Sequence, residues 1–264
     1  MINSNTPIER YIVKGRSVYV KREDLSTNYP APSLAKLRGV YSHLQKKKAD
    51  GINLIGVLDT RISKSAWGVT AISRNLNLRV RAYYPSLKAY TEPPFNQQKA
   101  QELGAELVPL KGGRTAVLYA KAKKDIEALG GYMMPMGLVV KETVEEVAKE
   151  SLTIPEGLLG GDVVVCSGSG MITAGLFKGL GTRCRIVAIS CGMSIIKQAK
   201  RIEEVLGYKP INIMLIQGNF SYYEEAKIEV PFPTSVYYDA KAWKWLVDNI
   251  EVLRSPIIFW NIGV

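Results

Sequence analysis

The sequence predicts an α/β protein with mostly parallel sheets and helices on both faces. Three observations predict it. Short runs rich in Val, Ile and Leu recur along the chain, each flanked by turn residues; the stretches between them keep apolar residues at helical spacing. Strand and helix alternate one by one, which is the order that lays parallel strands side by side. With 47% hydrophobic and 22% charged residues among 264, the chain can bury a core, which excludes a disordered or collagen-like polymer.

Taken in order, Asn53–Leu58 reads as a buried strand and Ser65–Asn75 as the helix that follows it. Val80–Tyr84 is the next strand and Pro94–Leu103 its helix; Leu107–Leu110 and Arg114–Leu129 repeat the unit. Lys141–Ser151 is a helix with acidic residues along one side. The apolar strand Asp162–Cys166 then passes through a Gly/Ser turn into the helix Ile172–Leu180, and Arg185–Ile189 leads into the helix Met193–Leu206. Neither an internal repeat nor a low-complexity linker interrupts the pattern. The expected division is a smaller α/β lobe over 53–141 and a larger lobe built from 1–52 and 142–264.

Composition narrows the chemistry. Thirty-five Lys and Arg against 24 Asp and Glu leave a net charge of +11, which favours phosphates, nucleic acid or acidic metabolites as partners. The densest basic run, Lys46–Lys48, follows a helical stretch and reads as a solvated helix end. Three cysteines, Cys166, Cys184 and Cys191, match neither a disulfide framework nor a zinc motif and read as buried thiols. The single histidine, His43, lies among leucines in a helix-like stretch, so neither a metal centre nor a histidine relay is expected. Proton transfers then fall to lysine, tyrosine, serine, carboxylates or a bound cofactor. No apolar run approaches the roughly 20 residues that cross a bilayer, and the start, Met1-Ile-Asn-Ser-Asn-Thr-Pro7, is polar, so a cytoplasmic protein with no membrane partner is expected.

Two segments carry chemistry. In Val163–Gly175 a strand ends in Ser167-Gly168-Ser169-Gly170 and enters a helix at once, offering backbone N–H groups to an anion at the positive end of the helix dipole. The run lacks a P-loop lysine and the dinucleotide-binding spacing, so a nucleoside triphosphate or NAD is disfavoured. Near the start, Lys36 opens an amphipathic helix with Arg38 two residues on. A lysine there gains nothing from the dipole, and a neighbouring cation lowers its pKa. Such a lysine is a candidate imine former, or else an ordinary exposed residue of a basic protein.

Five features in one order resemble a known family: Lys21-Arg-Glu-Asp24 followed by Lys36-Leu-Arg38, the Ser63-Lys64-Ser65 turn, the Ser167–Gly175 loop, the segment Pro233–Lys241 with Tyr237 and Tyr238, and Ile257–Gly263 near the end. The arrangement is similar to the fold-type II pyridoxal-phosphate enzymes, the tryptophan synthase β-like superfamily, and most to its aminocyclopropane-carboxylate deaminase and D-cysteine desulfhydrase branch. The resemblance implies a two-lobed fold and pyridoxal 5'-phosphate as cofactor. It implies that Lys36 holds the cofactor aldehyde as an imine and shuttles the proton at the substrate's α carbon. Ser167, Gly168, Ser169, Gly170, Met171, Ile172 and Thr173 would cradle the phosphate. Ser63 and Ser65 would face the substrate carboxylate, with Ser63 also catalytic, and Tyr237 or Tyr238 would sit against cofactor or substrate, Tyr238 as a proton relay. Family members are commonly dimers, so a homodimer is expected, and the aromatic residues Trp243, Trp245, Phe259 and Trp260 line either its interface or the core.

Departures from the family pattern bear on the substrate. Lys64 stands where the family has an asparagine on the cofactor's ring hydroxyl, and is expected either to take over that cofactor contact or to fill the site; Ala35 replaces an asparagine before the lysine. Met171 and Ile172 replace small or hydroxyl residues of the phosphate loop. Asn261-Ile262 replaces a His-Thr pair; Ile262 cannot hydrogen-bond the ring nitrogen as the family's threonine does, and the resemblance implies Asn261 as a cofactor contact. The expected enzyme does carbanion chemistry at the α or β carbon of an amine-bearing substrate, by deamination, elimination, decarboxylation or isomerisation. Charge and the altered pocket extend that substrate to an amino acid attached to a nucleotide or a DNA base, as in hypermodification of viral DNA. The alternative is a catalytically degenerate relative that binds nucleic acid or a phosphometabolite.

Overall fold

The computed structural model describes residues 2–86 and 92–264. They fall into two compact units, one of residues 28–32 and 40–140, the other of 2–27, 33–39 and 141–264.

The second unit is built on a six-stranded sheet. Its strands are β1 (Ile8–Val13), β2 (Arg16–Arg22), β7 (Asp162–Ser167), β8 (Arg185–Ser190), β9 (Ile213–Gln217) and β10 (Ile257–Asn261), in the order β1-β2-β10-β7-β8-β9. Only the β1–β2 hairpin pairs antiparallel. Helices α5 (Lys141–Ser151), α6 (Met171–Leu180), α7 (Ile195–Leu206) and α8 (Asp239–Asp248) complete it. Strand β7 shows why its sequence reads as unbroken apolar residues: Val163 and Val165 enter one core cluster with Ile172, Leu176 and Trp260, while Val164 and Cys166 enter another with Phe232, Trp243 and Phe259. A parallel strand covered on both faces has no polar side to show. The four aromatic residues near the end divide accordingly: Trp243, Phe259 and Trp260 are buried core, and Trp245 packs against it half-buried.

The first unit carries the four-stranded parallel sheet β5-β4-β3-β6, from β3 (Leu54–Leu58), β4 (Arg79–Ser86), β5 (Glu106–Lys111) and β6 (Tyr132–Met133). Its helices are α2 (Ser65–Asn75), α3 (Phe95–Glu102) and α4 (Thr115–Ala128), together with most of α1 (Leu37–Ala49), whose first turn belongs to the other unit. His43 hydrogen-bonds the Tyr132 hydroxyl at 3.0 Å. All three cysteines are buried free thiols, and among the described residues no helix is long and apolar enough to cross a membrane.

Both sheets reverse direction at the strand that precedes a predicted motif. In the larger sheet β7, β8 and β9 run outward and β10 returns on the other side of β7; in the smaller, β3, β4 and β5 run outward and β6 returns beside β3. Open α/β sheets bind ligands beyond the carboxyl ends of such strands. The Ser167–Gly170 loop follows β7, and the Ser63–Ser65 turn follows β3.

Candidate active site

Lys36 is positioned by its neighbours on both sides. The sequence has Lys36 open the helix, but it lies in the turn one residue before α1, because the chain there is held to the residues that follow β10. Ala35 donates its N–H to the Ile262 carbonyl at 2.9 Å, and Leu34 bridges Gly263. On the other side Arg38 makes a two-pronged bond to Glu23, Nε to Oε2 at 2.9 Å and Nη2 to Oε1 at 2.8 Å. Glu23 also accepts from Thr6, and the Lys21 ammonium pairs with Glu150 at 2.7 Å. The Lys-Arg-Glu-Asp run is thus a buried frame: Glu23 orients α1 through Arg38, and Asp24 accepts from Arg22 and from Asn261. Glu150, which the sequence reading did not single out, closes that frame from α5. A carboxylate on the apolar side of a helix with acidic residues elsewhere was its only signal.

Gly39 lets the first turn of α1, which belongs to the same unit as α5, approach that helix. A Cβ there would meet the Thr143 backbone nitrogen at 2.2 Å, so no larger residue permits the approach. Lys36 itself is half-buried. Burial lowers its ammonium to about 8; Cys166 opposes that shift and the Arg201 guanidinium adds to it. At pH 7 about one molecule in ten then carries the neutral amine, against fewer than one in about a thousand for an ordinary lysine.

The Ser167–Gly170 loop is shaped as an anion cup. Thr173 Oγ1 donates to Ser167 Oγ at 3.0 Å, closing the first turn of α6 onto the end of β7. Gly170 has φ 86°, a left-handed conformation that glycine takes without strain, and it directs the chain straight into α6. Space around Gly168 is open, and the buried Ser169 Oγ has no hydrogen-bond partner. Met171 and Ile172 are buried and supply no hydroxyl. Arg201, also missed in sequence, reaches from α7 to donate to the Ser169 carbonyl at 3.1 Å. The same cation acts on Lys36, so lysine and cup share one neighbourhood within this unit.

The remaining residues of this unit divide. Asn261 is fully buried with its amide engaged by protein: Nδ2 donates to Asp24 at 2.9 Å and to the Pro233 carbonyl at 2.9 Å, while Oδ1 accepts from Thr234. Tyr238 is half-buried and shares a 2.9 Å hydrogen bond with the Tyr222 hydroxyl. Tyr237 turns its hydroxyl to Glu225 at 2.5 Å instead.

In the other unit, Ser63 and Ser65 face each other across the turn, Oγ to Oγ 2.9 Å, with Lys64 half-buried between them as the residue before α2. The buried Asp59, at the end of β3, holds this turn. Its Oδ2 accepts from the Ala66 N–H at 2.8 Å and from Gln97 at 3.1 Å, whereas Oδ1 has no partner. Burial pushes the Asp59 carboxyl up to about 7, opposed by the polar groups of Ser63, Ala66, Gln97 and Ser65 around it. Close by in the same unit are three aromatic rings. Trp67 is tied by its indole N–H to the Pro30 carbonyl at 2.6 Å and meets Phe95 edge-on at 6.4 Å. Phe95 is 63% exposed and Tyr29 82%.

An orphaned buried hydroxyl, amides at a helix start, an open glycine and a lysine held partly neutral fit a phosphorylated aldehyde, which is what pyridoxal phosphate offers. No protein-family model matches the chain. The chain is 38% identical, over the full length of both proteins, to the glycyl-dTMP PLP-dependent decarboxylase of Pseudomonas phage M6. Among solved structures it superposes on an ACC deaminase homologue with a TM-score of 0.83 at 20% identity, covering 99% of this chain and 90% of that one. The processed form of threonine deaminase isoform 2 from Solanum lycopersicum follows the same fold with a TM-score of 0.68 at 16% identity, over 99% and 80% of the two chains. The O-acetylserine-dependent cystathionine β-synthase of Helicobacter pylori does so at 0.70 and 17%, over 98% and 92%. The chain is therefore a pyridoxal-phosphate-dependent enzyme of fold type II, and it belongs to the family of the phage glycyl-dTMP decarboxylase.

Proposed function

We propose that this enzyme decarboxylates an amino acid carried on a pyrimidine nucleotide, with glycyl-dTMP as the reference substrate. The full-length identity to the phage enzyme carries this reading. The net charge of +11 and the exposed rings of Phe95 and Tyr29, with Lys99 Nζ 5.5 Å from the centre of the Phe95 ring, support a substrate with a base and a phosphate rather than a free amino acid.

When bound, the cofactor supplies an electron-accepting conjugated ring that takes up the charge left at the α carbon as carbon dioxide departs. The chain's own residues do the rest. Lys36 Nζ, part of it neutral at pH 7, would hold the cofactor's aldehyde carbon and would return a proton to the substrate's α carbon. Ser167–Thr173 would hold the phosphate by backbone amides and the Ser169 hydroxyl. Ser63 and Ser65 orient the carboxylate that is lost, and Asp59 fixes the turn that presents them. Tyr238, braced by Tyr222, would relay protons.

The test is product analysis of the purified holoenzyme with glycyl-dTMP, free glycine and 1-aminocyclopropane-carboxylate in parallel. Glycyl-dTMP is expected to lose one carbon dioxide and keep its amine, with KM rising steeply with salt. Phe95→Ala is expected to raise that KM about tenfold, in line with a stacked base. Ammonia release with the carboxylate retained, or equal turnover of free glycine, would overturn the reading.

A further inference from the structure

Helix α7 packs along the back of the phosphate loop with one stripe of side chains. Gln198 Nε2 donates to the Ser167 carbonyl at 3.2 Å and to Ser190 Oγ at 2.7 Å. A Cβ on Gly170 would come within 3.0 Å of Ile202. Between them, one turn on from Gln198, Arg201 donates Nη1 to the Ser169 carbonyl. These three residues are spaced i, i+3 and i+4, so they lie on one face of the helix.

Arg201 has an unusual electrostatic position. It is half-buried, yet among the described residues no carboxylate pairs with it, and only one of its N–H donors has a protein acceptor. Acidic neighbours are at hand in sequence, but Glu204 pairs with Lys200 at 3.8 Å. A guanidinium partly removed from water with no counter-ion is costly unless an anion completes it. The cup beside it lacks hydroxyls at Met171 and Ile172, and the one hydroxyl buried there without a partner is that of Ser169.

We propose that Arg201 is the cationic ligand of the cofactor's phosphate, replacing the side-chain donors that Met171 and Ile172 cannot provide. A phosphate monoester carries roughly −1.5 to −2 charge at neutral pH and accepts charge-assisted hydrogen bonds. A cup of neutral amides and one serine leaves most of that charge uncompensated, and Arg201 compensates it from the rim. The same guanidinium opposes protonation of Lys36, so a single residue both retains the phosphate and keeps the attaching amine available.

The test compares two aldehydes that differ only in the phosphate. Apo-protein is titrated with pyridoxal 5'-phosphate and with pyridoxal, and the absorbance of the bound cofactor is read. Arg201→Gln is expected to weaken pyridoxal 5'-phosphate about tenfold or more while moving pyridoxal less than about twofold; Arg201→Lys recovers part of the loss. Lys200→Gln, which removes an equal charge one residue away, leaves both unchanged. Arg201→Gln binding pyridoxal 5'-phosphate as tightly as the parent, or losing both aldehydes equally, would overturn the assignment. The unaltered protein provides a second reading that needs no variant. Inorganic phosphate is expected to slow phenylglyoxal labelling of Arg201, followed by peptide mass, and labelling at one rate with and without phosphate contradicts the proposal. Neither measurement involves the nucleotide, so the substrate reading stands or falls separately.

Discussion

Lys36 is held ready by being partly removed from water. Its ammonium titrates near 8 in the folded chain and near 10.5 in an ordinary peptide, so between those values the unfolded state binds more protons than the native one. Native stability therefore rises with pH across that window, and below pH 8 the apo-protein bears the full cost of the buried charge. Lys36→Met removes this term. The apo variant is expected to be more stable than the parent at pH 7, by up to about 3 kcal/mol, and the gap should close as pH rises past 10. Denaturant melts at pH 7 and pH 10 check it; an equal or lower stability of the variant at pH 7 would show that the lysine is solvated. Cys166 and Arg201 sharpen the same point, because nothing in the local sequence around Lys36 shows that residues 130 or more positions away set its charge.

The elements around the site were legible to different degrees, for physical reasons. Strand β7 and the turn into α6 stand out because a fully buried strand and a positive-φ glycine leave unmistakable residue types. The β3–α2 unit reads equally well. The β1–β2 hairpin did not: β1 alternates half-buried and exposed residues at the sheet edge, and the charged end of β2 looks like surface although Lys21–Asp24 are all buried. Two of their partners, Glu150 and Asn261, lie far along the chain, so that pairing is visible only once folded. Asn261, expected at the cofactor, has its amide engaged by Asp24, Pro233 and Thr234, partners that no local pattern announces. The approach of Gly39, in the first turn of α1, to Thr143 of α5 is another long-range fact with a local trace, the glycine itself. Gly39→Ala is expected to cost about 3 kcal/mol and to weaken cofactor retention, since it pushes the turn bearing Lys36 away from β10. An unchanged melting temperature would mean that α5 shifts to make room.

Taken as one chain, two features that the sequence could only hint at become specific through folding. Each sheet places its motif at the strand where the order reverses, the Ser63–Ser65 turn after β3 and the Ser167–Gly170 loop after β7. The cup's missing hydroxyls, read from sequence as a loss, acquire a replacement in Arg201, which lies 32 residues beyond Ser169 on the next helix. The charge balance points the same way at larger range, toward an anionic substrate. All of this depends on one nitrogen. Borohydride treatment of the pyridoxal-phosphate-loaded enzyme, followed by digestion and peptide mass, fixes the attachment point. A pyridoxyl adduct on Lys36, abolished in Lys36→Ala, is the expected result; an adduct on Lys64 or Lys241, or none, would contradict the assignment.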